Sequence, residues 1–471
     1  MPSYLTFEQL LCDSRNADDI IAWRHNLPIT RAAFQQAVAD NISALQKNTG
    51  RRWALYANDA LTFAVGLLAL AASDKHIVIP GNRQPGFIAS LTTGEQCVDG
   101  FLGDFENTHT KIITTAFTRA ASAPILFTTP LNGDAIEIEI YTSGTTGDPK
   151  PLQKKLRQLC REIDTLHATW PNELAGSTVL GTVSHQHIYG LLFRVMWPLS
   201  AGVPLLAEML EHPTDICHAL RQYAPVTFIS SPAHYKRLPE HADLNSAQGT
   251  LRKMISSGGP LSYDASRTIS EILDAPIFEI FGSSETGGIA YRIQDERQAD
   301  TPWTPFSGVD IRLESASHAL QIRSANLLDA EWFTMADAAH IEDGQFRLLG
   351  RLDRIVKIEE KRISLDELEK QLQRQSLIHE VRTLVLQNEA SKDASTQREI
   401  IGAAIVLSAA GEKILQAQGK HALNQQLRKI LRNYFEPVTL PRKWRYVKQL
   451  PVNAQGKFVQ TDLIALFESE S

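Results

Sequence analysis

An α/β protein with parallel sheets and a separate, smaller C-terminal domain is the fold this sequence predicts. The chain has 471 residues, more than one ordinary core holds, so two or three domains are expected. Between Ile136 and about Leu349, strand-like runs alternate with helix-like ones, as in a parallel sheet covered by helices. From Arg354 onward the strands and helices are shorter. This places a boundary near Asp353 and divides the chain into residues 1–352 and 353–471.

The elements follow in order. The segment to about Asn132 mixes helical stretches with strands such as HIVIP, which ends at Pro80. Ile136, Ile138 and Ile140 alternate with Glu137 and Glu139, the period of a strand. After Pro151, Leu152, Leu156, Leu159, Ile163 and Leu166 recur every three or four positions and predict an amphipathic helix. The intervening TSGTTGDPK is therefore expected to link a strand to a helix. PVTFISS and PIFEIFG read as strands, SYDASRTISEIL as a helix. The stretch GQFRLLGRLDRIVKIEEKRISLDELEKQL is a turn-marked hairpin running into a helix, with Ser364 and Glu367 as its capping box.

Composition narrows the function classes. With 43% hydrophobic and 21% charged residues the chain is globular. A net charge of −6 argues against a nucleic-acid or anionic-membrane partner. Cys12, Cys97, Cys160 and Cys217 fit no zinc spacing and are expected to be buried thiols. The start carries no signal pattern, and the apolar run Leu61 to Ala72 is too short for a bilayer. A cytoplasmic protein without a transmembrane segment is expected.

A loop of small hydroxylated residues and glycines between regular elements suits an anion, because backbone N–H groups converge there. Gly144 and Gly147 permit close approach, Thr142, Ser143, Thr145 and Thr146 offer hydroxyls, and Lys150 adds a cation. A flexible linker has the same composition. A Walker loop does not fit, since the Gly-Lys-Ser/Thr ending is missing.

Phosphate is the natural guest of such a loop, and six further segments accompany it. With YTSGTTGDPK, the segments SHQHIYGL, SSGGPL, IFGSSETG, WFTMAD, GRLDRIVK and LPVNAQGK stand in order between residues 141 and 457. In these the chain resembles the superfamily of adenylate-forming (AMP-binding) enzymes: acyl- and aryl-CoA synthetases, nonribosomal peptide synthetase adenylation domains and luciferases. It is most like the compact, stand-alone acid-activating ligases. The resemblance implies a large N-terminal domain binding ATP and acid, and a small α+β C-terminal domain that rotates about a hinge at Asp353.

It also implies roles. The loop Thr142 to Gly147 with Lys150 would hold the β- and γ-phosphates, and Glu285 the Mg²⁺. Gly258, Gly259, Phe281 and Gly282 would lie along the adenine, with the Ser284 hydroxyl on the α-phosphate. Asp337 would accept the ribose hydroxyls with Arg351 in support, and Lys457 would reach the substrate carboxylate. The acid pocket would take His187, Tyr189, Ser231, His234, Tyr235, Gly287 and Gly288. His187 is also read as a core histidine. Ser231, His234 and Tyr235 would be polar tips suiting a small hydroxylated aromatic acid, and the two glycines would leave space for a straight acyl chain.

The implied reaction joins a carboxylic acid to AMP, then to a pantetheine thiol of coenzyme A or an acyl carrier protein. Met335 and Ala336 depart from the family pattern, as does Glu360 where glycine is usual, with Lys361 and Arg362 beside it. These departures motivate the alternative of a non-catalytic or adenylation-only binder. Retention of Glu285 and Lys457 favours the ligase.

Overall fold

The computed structural model describes residues 4–93, 96–105, 112–113, 127–142, 150–241, 243–294, 301–358, 361–387, 399–452 and 458–468. They divide into two units. The first holds the described residues through Asp310 together with Ile322–Phe333; the second holds Ile311–Gln321 and the described residues from Thr334 on.

Two large sheets build the first unit. One has nine strands, with Ile277–Ser283, Leu251–Ser256, Val226–Ser230, Thr178–Gly181, Leu205–Leu206 and Ile20–Arg24 running parallel through its centre. Antiparallel strands close both edges. The other has six strands, of which only the edge strand Lys150–Lys155 is antiparallel. The expected parallel α/β architecture is present.

Alternation along the central strands divides the apolar residues between two cores. Ile229 and Ile255 point into the layer shared with the six-stranded sheet. Their neighbours Phe228 and Met254 point to the other face, beneath Pro213–Gln222, Pro232–His241 and Tyr263–Leu273. The run Leu61 to Ala72 lies in the helix Ala60–Ala72, buried along nearly its whole length and capped by Asp59, which accepts from the Thr62 N–H at 2.7 Å. Among the described residues no helix is long and apolar enough to cross a membrane. The four cysteines are unpaired as expected, but not all are buried: Cys160 and Cys217 are, whereas Cys97 is exposed.

In the second unit Phe333–Glu342 and Gln345–Arg351 form an antiparallel hairpin, and Ile355–Ile358 pairs with Lys361–Ser364. Three further strands, Ile378–Gln387, Glu399–Leu407 and Lys443–Tyr446, carry the helices of the C-terminal part. The expected capping box is half made. The Ser364 hydroxyl accepts from the Glu367 N–H at 3.2 Å, while the Glu367 carboxylate takes a 2.6 Å bond from Gln371.

Candidate active site

Glu137–Thr142 and Lys150–Lys155 pair antiparallel, with Thr142 opposite Lys150 and Glu137 opposite Lys155. A hairpin therefore carries the glycine- and threonine-rich loop, in place of the expected strand-to-helix junction. The helix begins only at Leu156, where the Lys155 N–H donates to Gln158 Oε1 at 2.8 Å. Leu152 belongs to the strand, because residues 150–155 complete the hydrogen-bond ladder of the neighbouring edge. Ser143, Gly144, Thr145, Thr146, Gly147, Glu360 and Lys457 lie outside the described residues.

Ile277–Ser283 and Gly287–Arg292 form a second hairpin whose tight turn holds Glu285. A Cβ at Gly282 would lie 2.0 Å from the Gly287 carbonyl oxygen, so the two strand ends approach this closely only with glycine at 282. Within the turn the Ser283 N–H donates to Thr286 Oγ1 at 3.0 Å, and the Thr286 N–H to Ser283 Oγ at 3.2 Å. The Glu285 side chain is exposed at the tip.

Behind that tip lie two buried charges the sequence did not point to. Lys154 Nζ donates to the Glu285 carbonyl at 2.6 Å. Glu162, on the helix Leu156–Thr169, accepts from the Gly288 N–H at 2.6 Å. Burial pushes the Glu162 carboxyl up to about 7, against the pull of the Gly288 N–H and Lys154. Burial likewise lowers Lys154, which Glu162 and Glu285 partly offset. A Cβ at Gly287, where φ is +69°, would meet Glu162 Oε2 at 2.2 Å. The room left by Gly287 and Gly288 is thus filled by a carboxylate, correcting the expectation that it receives an acyl chain.

Gly258 and Gly259 follow the strand Leu251–Ser256 as an exposed segment. Gly258 adopts φ +89° with nothing within 4 Å of a would-be Cβ. Phe281, half-buried, packs 5.3 Å from Trp303, and Ser284 stands half-buried beside Glu285. The His187 ring lies over Gly81, its Cε1 3.3 Å from where a Cβ would stand. The core histidine of this segment is instead His185, whose Nε2 sits 2.9 Å from the Ala57 carbonyl and which burial pushes down to about 3.

The Tyr189 hydroxyl donates to the carbonyls of Ser230 and Ile255, both at 3.0 Å. Tyr235 is fully buried, with its hydroxyl on the carbonyls of Phe228 and Ile255, in the core on the sheet's other face. It is a core residue and no polar tip. Ser231 and His234 remain as a half-buried polar pair, 2.9 Å apart.

In the second unit Asp337 pairs directly across the ladder with Arg351, next to a β-bulge at Ala338 and Ala339. Burial raises the Asp337 carboxyl, and Arg351 opposes that shift. Met335 is buried on the same strand, so its departure from the family pattern fills a core position.

These residues fit the implied ligands. Among the described residues no group of three or more metal-ligating side chains is present. Mg²⁺ in nucleotide sites takes one or two carboxylates plus phosphate oxygens, and Glu285, exposed on a hydrogen-bonded turn, offers one carboxylate of that kind. The bare glycine segment leaves room for a flat base.

A family model described as AMP-binding enzyme matches residues 99–320. The probable CoA ligase CCL8 of Humulus lupulus is 25% identical over 386 residues, covering 72% of this chain, which spans only 62% of the relative's length. A D-alanine–D-alanyl carrier protein ligase of Staphylococcus aureus is 22% identical over 416 residues, 82% of this chain and 80% of that protein. The fold matches that of o-succinylbenzoate CoA synthetase from Bacillus subtilis in complex with its acyl-adenylate intermediate, with a TM-score of 0.75, 16% identity and 97% of each chain covered. The family model, which matches just under half of the chain, the two relatives and the fold together make the chain similar to AMP-binding enzymes.

Proposed function

We propose that the protein is an ATP-dependent carboxylic acid ligase working in two steps. The substrate carboxylate attacks the α-phosphorus of ATP, the bond to pyrophosphate breaks, and an acyl-AMP forms. A pantetheine thiolate then attacks the acyl carbon and AMP leaves with the carbon–oxygen bond electrons. The single observation carrying this reading is the Glu285 turn, an exposed carboxylate on a backbone fixed from both sides. The ligase names of the two relatives support it.

Attack of one anion on another makes positioning and charge neutralisation the main tasks. Bound Mg²⁺ would supply neutralisation of the phosphate oxygens. On this reading Glu285 holds the metal, Gly258, Gly259 and Phe281 receive the base, and Asp337 and Arg351 serve the ribose. Lys457 bridges the carboxylate and the nucleotide. Asp353 is the hinge between residues 1–352 and 353–471, about which the C-terminal part turns for the thiol step. The Ser231–His234 pair favours a small aromatic acid with a polar substituent over a straight chain, since Glu162 fills the space at Gly287 and Gly288.

Acid-dependent ATP–pyrophosphate exchange across a panel of aryl and alkyl acids tests the reading. Thioester formation is then followed with coenzyme A and with a carrier protein. Exchange is expected with small aromatic acids; no exchange with any acid would refute the ligase.

A further inference from the structure

Lys154, Gln158 and Glu162 are spaced by four, running from the helix-side end of an edge strand into the first two turns of a helix. All three are buried, at 3%, 2% and 4% exposure. Burying an ammonium and a carboxylate is costly even after relaxation, because each loses its hydration. A strand end and an amphipathic helix need neither, because apolar residues would fill the same layer without that cost. Their partners explain them.

Lys154 Nζ meets the negative end of the Glu285 peptide, at 2.6 Å from its carbonyl oxygen. Glu162 meets the positive end of the Gly288 peptide, at 2.6 Å from its N–H. Between them, Gln158 Nε2 donates to the Asn326 carbonyl at 2.9 Å, and Asn326 Nδ2 reaches the Gly288 carbonyl at 3.4 Å. The segment 285–288 is therefore held at each end by a charge of the sign its backbone dipole selects. It lies so close that Gly287 has no space for a side chain.

We infer that Lys154 and Glu162 are positioning residues, an oppositely charged buried clamp that fixes the Glu285 backbone so that its exposed carboxylate is pre-aimed at the nucleotide's metal ion. This rests on the proposed role of Glu285. Neither residue touches the ligand. Preorganised donors gain their effect by not having to move when the ligand arrives, and removing such an outer support costs about 10–100-fold in metal affinity.

The test is calorimetric ATP binding by the full-length protein, with and without Mg²⁺, and Mn²⁺ binding to the ATP complex followed by electron paramagnetic resonance. Wild type should bind ATP more tightly with Mg²⁺. Lys154→Met should lose about tenfold or more of that gain while metal-free ATP affinity stays put, and Lys154→Arg, which keeps a cationic donor, should recover part of it. Glu162→Gln keeps an oxygen for the Gly288 N–H and removes the charge. It should unfold at the wild-type temperature and still lose a several-fold share, which guards against a Lys154→Met protein that does not fold. A full Mg²⁺ gain in Glu162→Gln, or in a folded Lys154→Met, overturns the clamp. Absence of any Mg²⁺ gain in wild type overturns the Glu285 assignment itself, and the clamp with it.

Discussion

Asp353 accepts two hydrogen bonds from the guanidinium of Arg351, from Nε at 2.9 Å and Nη2 at 2.5 Å. That bond holds the Asp353 carboxyl below its usual range. Arg351 in turn faces Asp337 across the ladder, and its N–H donates to Asp366 at 2.9 Å. The proposed hinge residue is thus tied to the proposed ribose-supporting arginine. A turn about Asp353 must carry that pair along or break it. Both side chains are about half exposed, so breaking it costs about 1 kcal/mol or less.

Asp353→Pro should therefore separate the two half-reactions. Proline fixes φ near −65° and disfavours the helical region at Leu352, which here lies in the short 3₁₀ turn Leu352–Arg354. The thiol step should fall at least about tenfold if rotation gates it, while acid-dependent pyrophosphate exchange survives. Equal loss of both would show that the junction had unfolded or that no rotation takes place.

Much of this was legible in the chain before its structure. PVTFISS and PIFEIFG read correctly as strands because they are short apolar runs rich in β-branched and aromatic residues. The clamp was not legible. KPLQKK has three lysines in six residues, the look of a solvated run, and only the fold brings Lys154 to Glu285, 131 positions on. The same three lysines mask the edge strand Lys150–Lys155, so the helical spacing reads from Leu152 although the helix starts at Leu156. Gly287 and Gly288 read as free space because nothing in their spacing points to Glu162.

Glu285→Gln should raise the Mg²⁺ demand about tenfold and lower turnover, since a neutral amide is a poor ligand for a hard cation. The side chain is exposed at the turn, and its carbonyl, not its carboxylate, bonds Lys154. Stability should accordingly stay within about 0.5 kcal/mol of wild type. An unchanged Mg²⁺ titration would remove Glu285 from the metal site.

Lys457→Ala should slow adenylate formation by about 10²–10³-fold, the usual loss of one preorganised charge donor. Thioester formation from pre-made acyl-adenylate should persist. Single-turnover assays of each step decide it, and near wild-type adenylation would leave the lysine without its assigned role.

A final prediction concerns Lys253, on the strand Leu251–Ser256. Its side chain is fully buried, with Nζ 3.9 Å from the Trp170 ring centroid and 3.5 Å from that of Phe278. Among the described residues no acceptor lies within hydrogen-bonding distance of it, and the nearest carboxylate oxygen, of Glu173, is 3.9 Å away. Burial drives its pKa down to about 7, with Glu173 pulling it back only in part. Below pH 7 both folded and unfolded chains carry the proton, and the folded state bears the cost of a buried ammonium. Between pH 7 and the ordinary lysine range the unfolded chain keeps a proton that the folded one has released. The unfolded state then binds more protons, so stability should rise with pH across that window. Lys253→Met should abolish the rise and stabilise the protein at neutral pH by about 1–4 kcal/mol. Urea unfolding at pH 6 and pH 9 reads both effects. If the pH dependence is the same in wild type and Lys253→Met, the ammonium is compensated within the aromatic cluster and its lowered pKa is refuted.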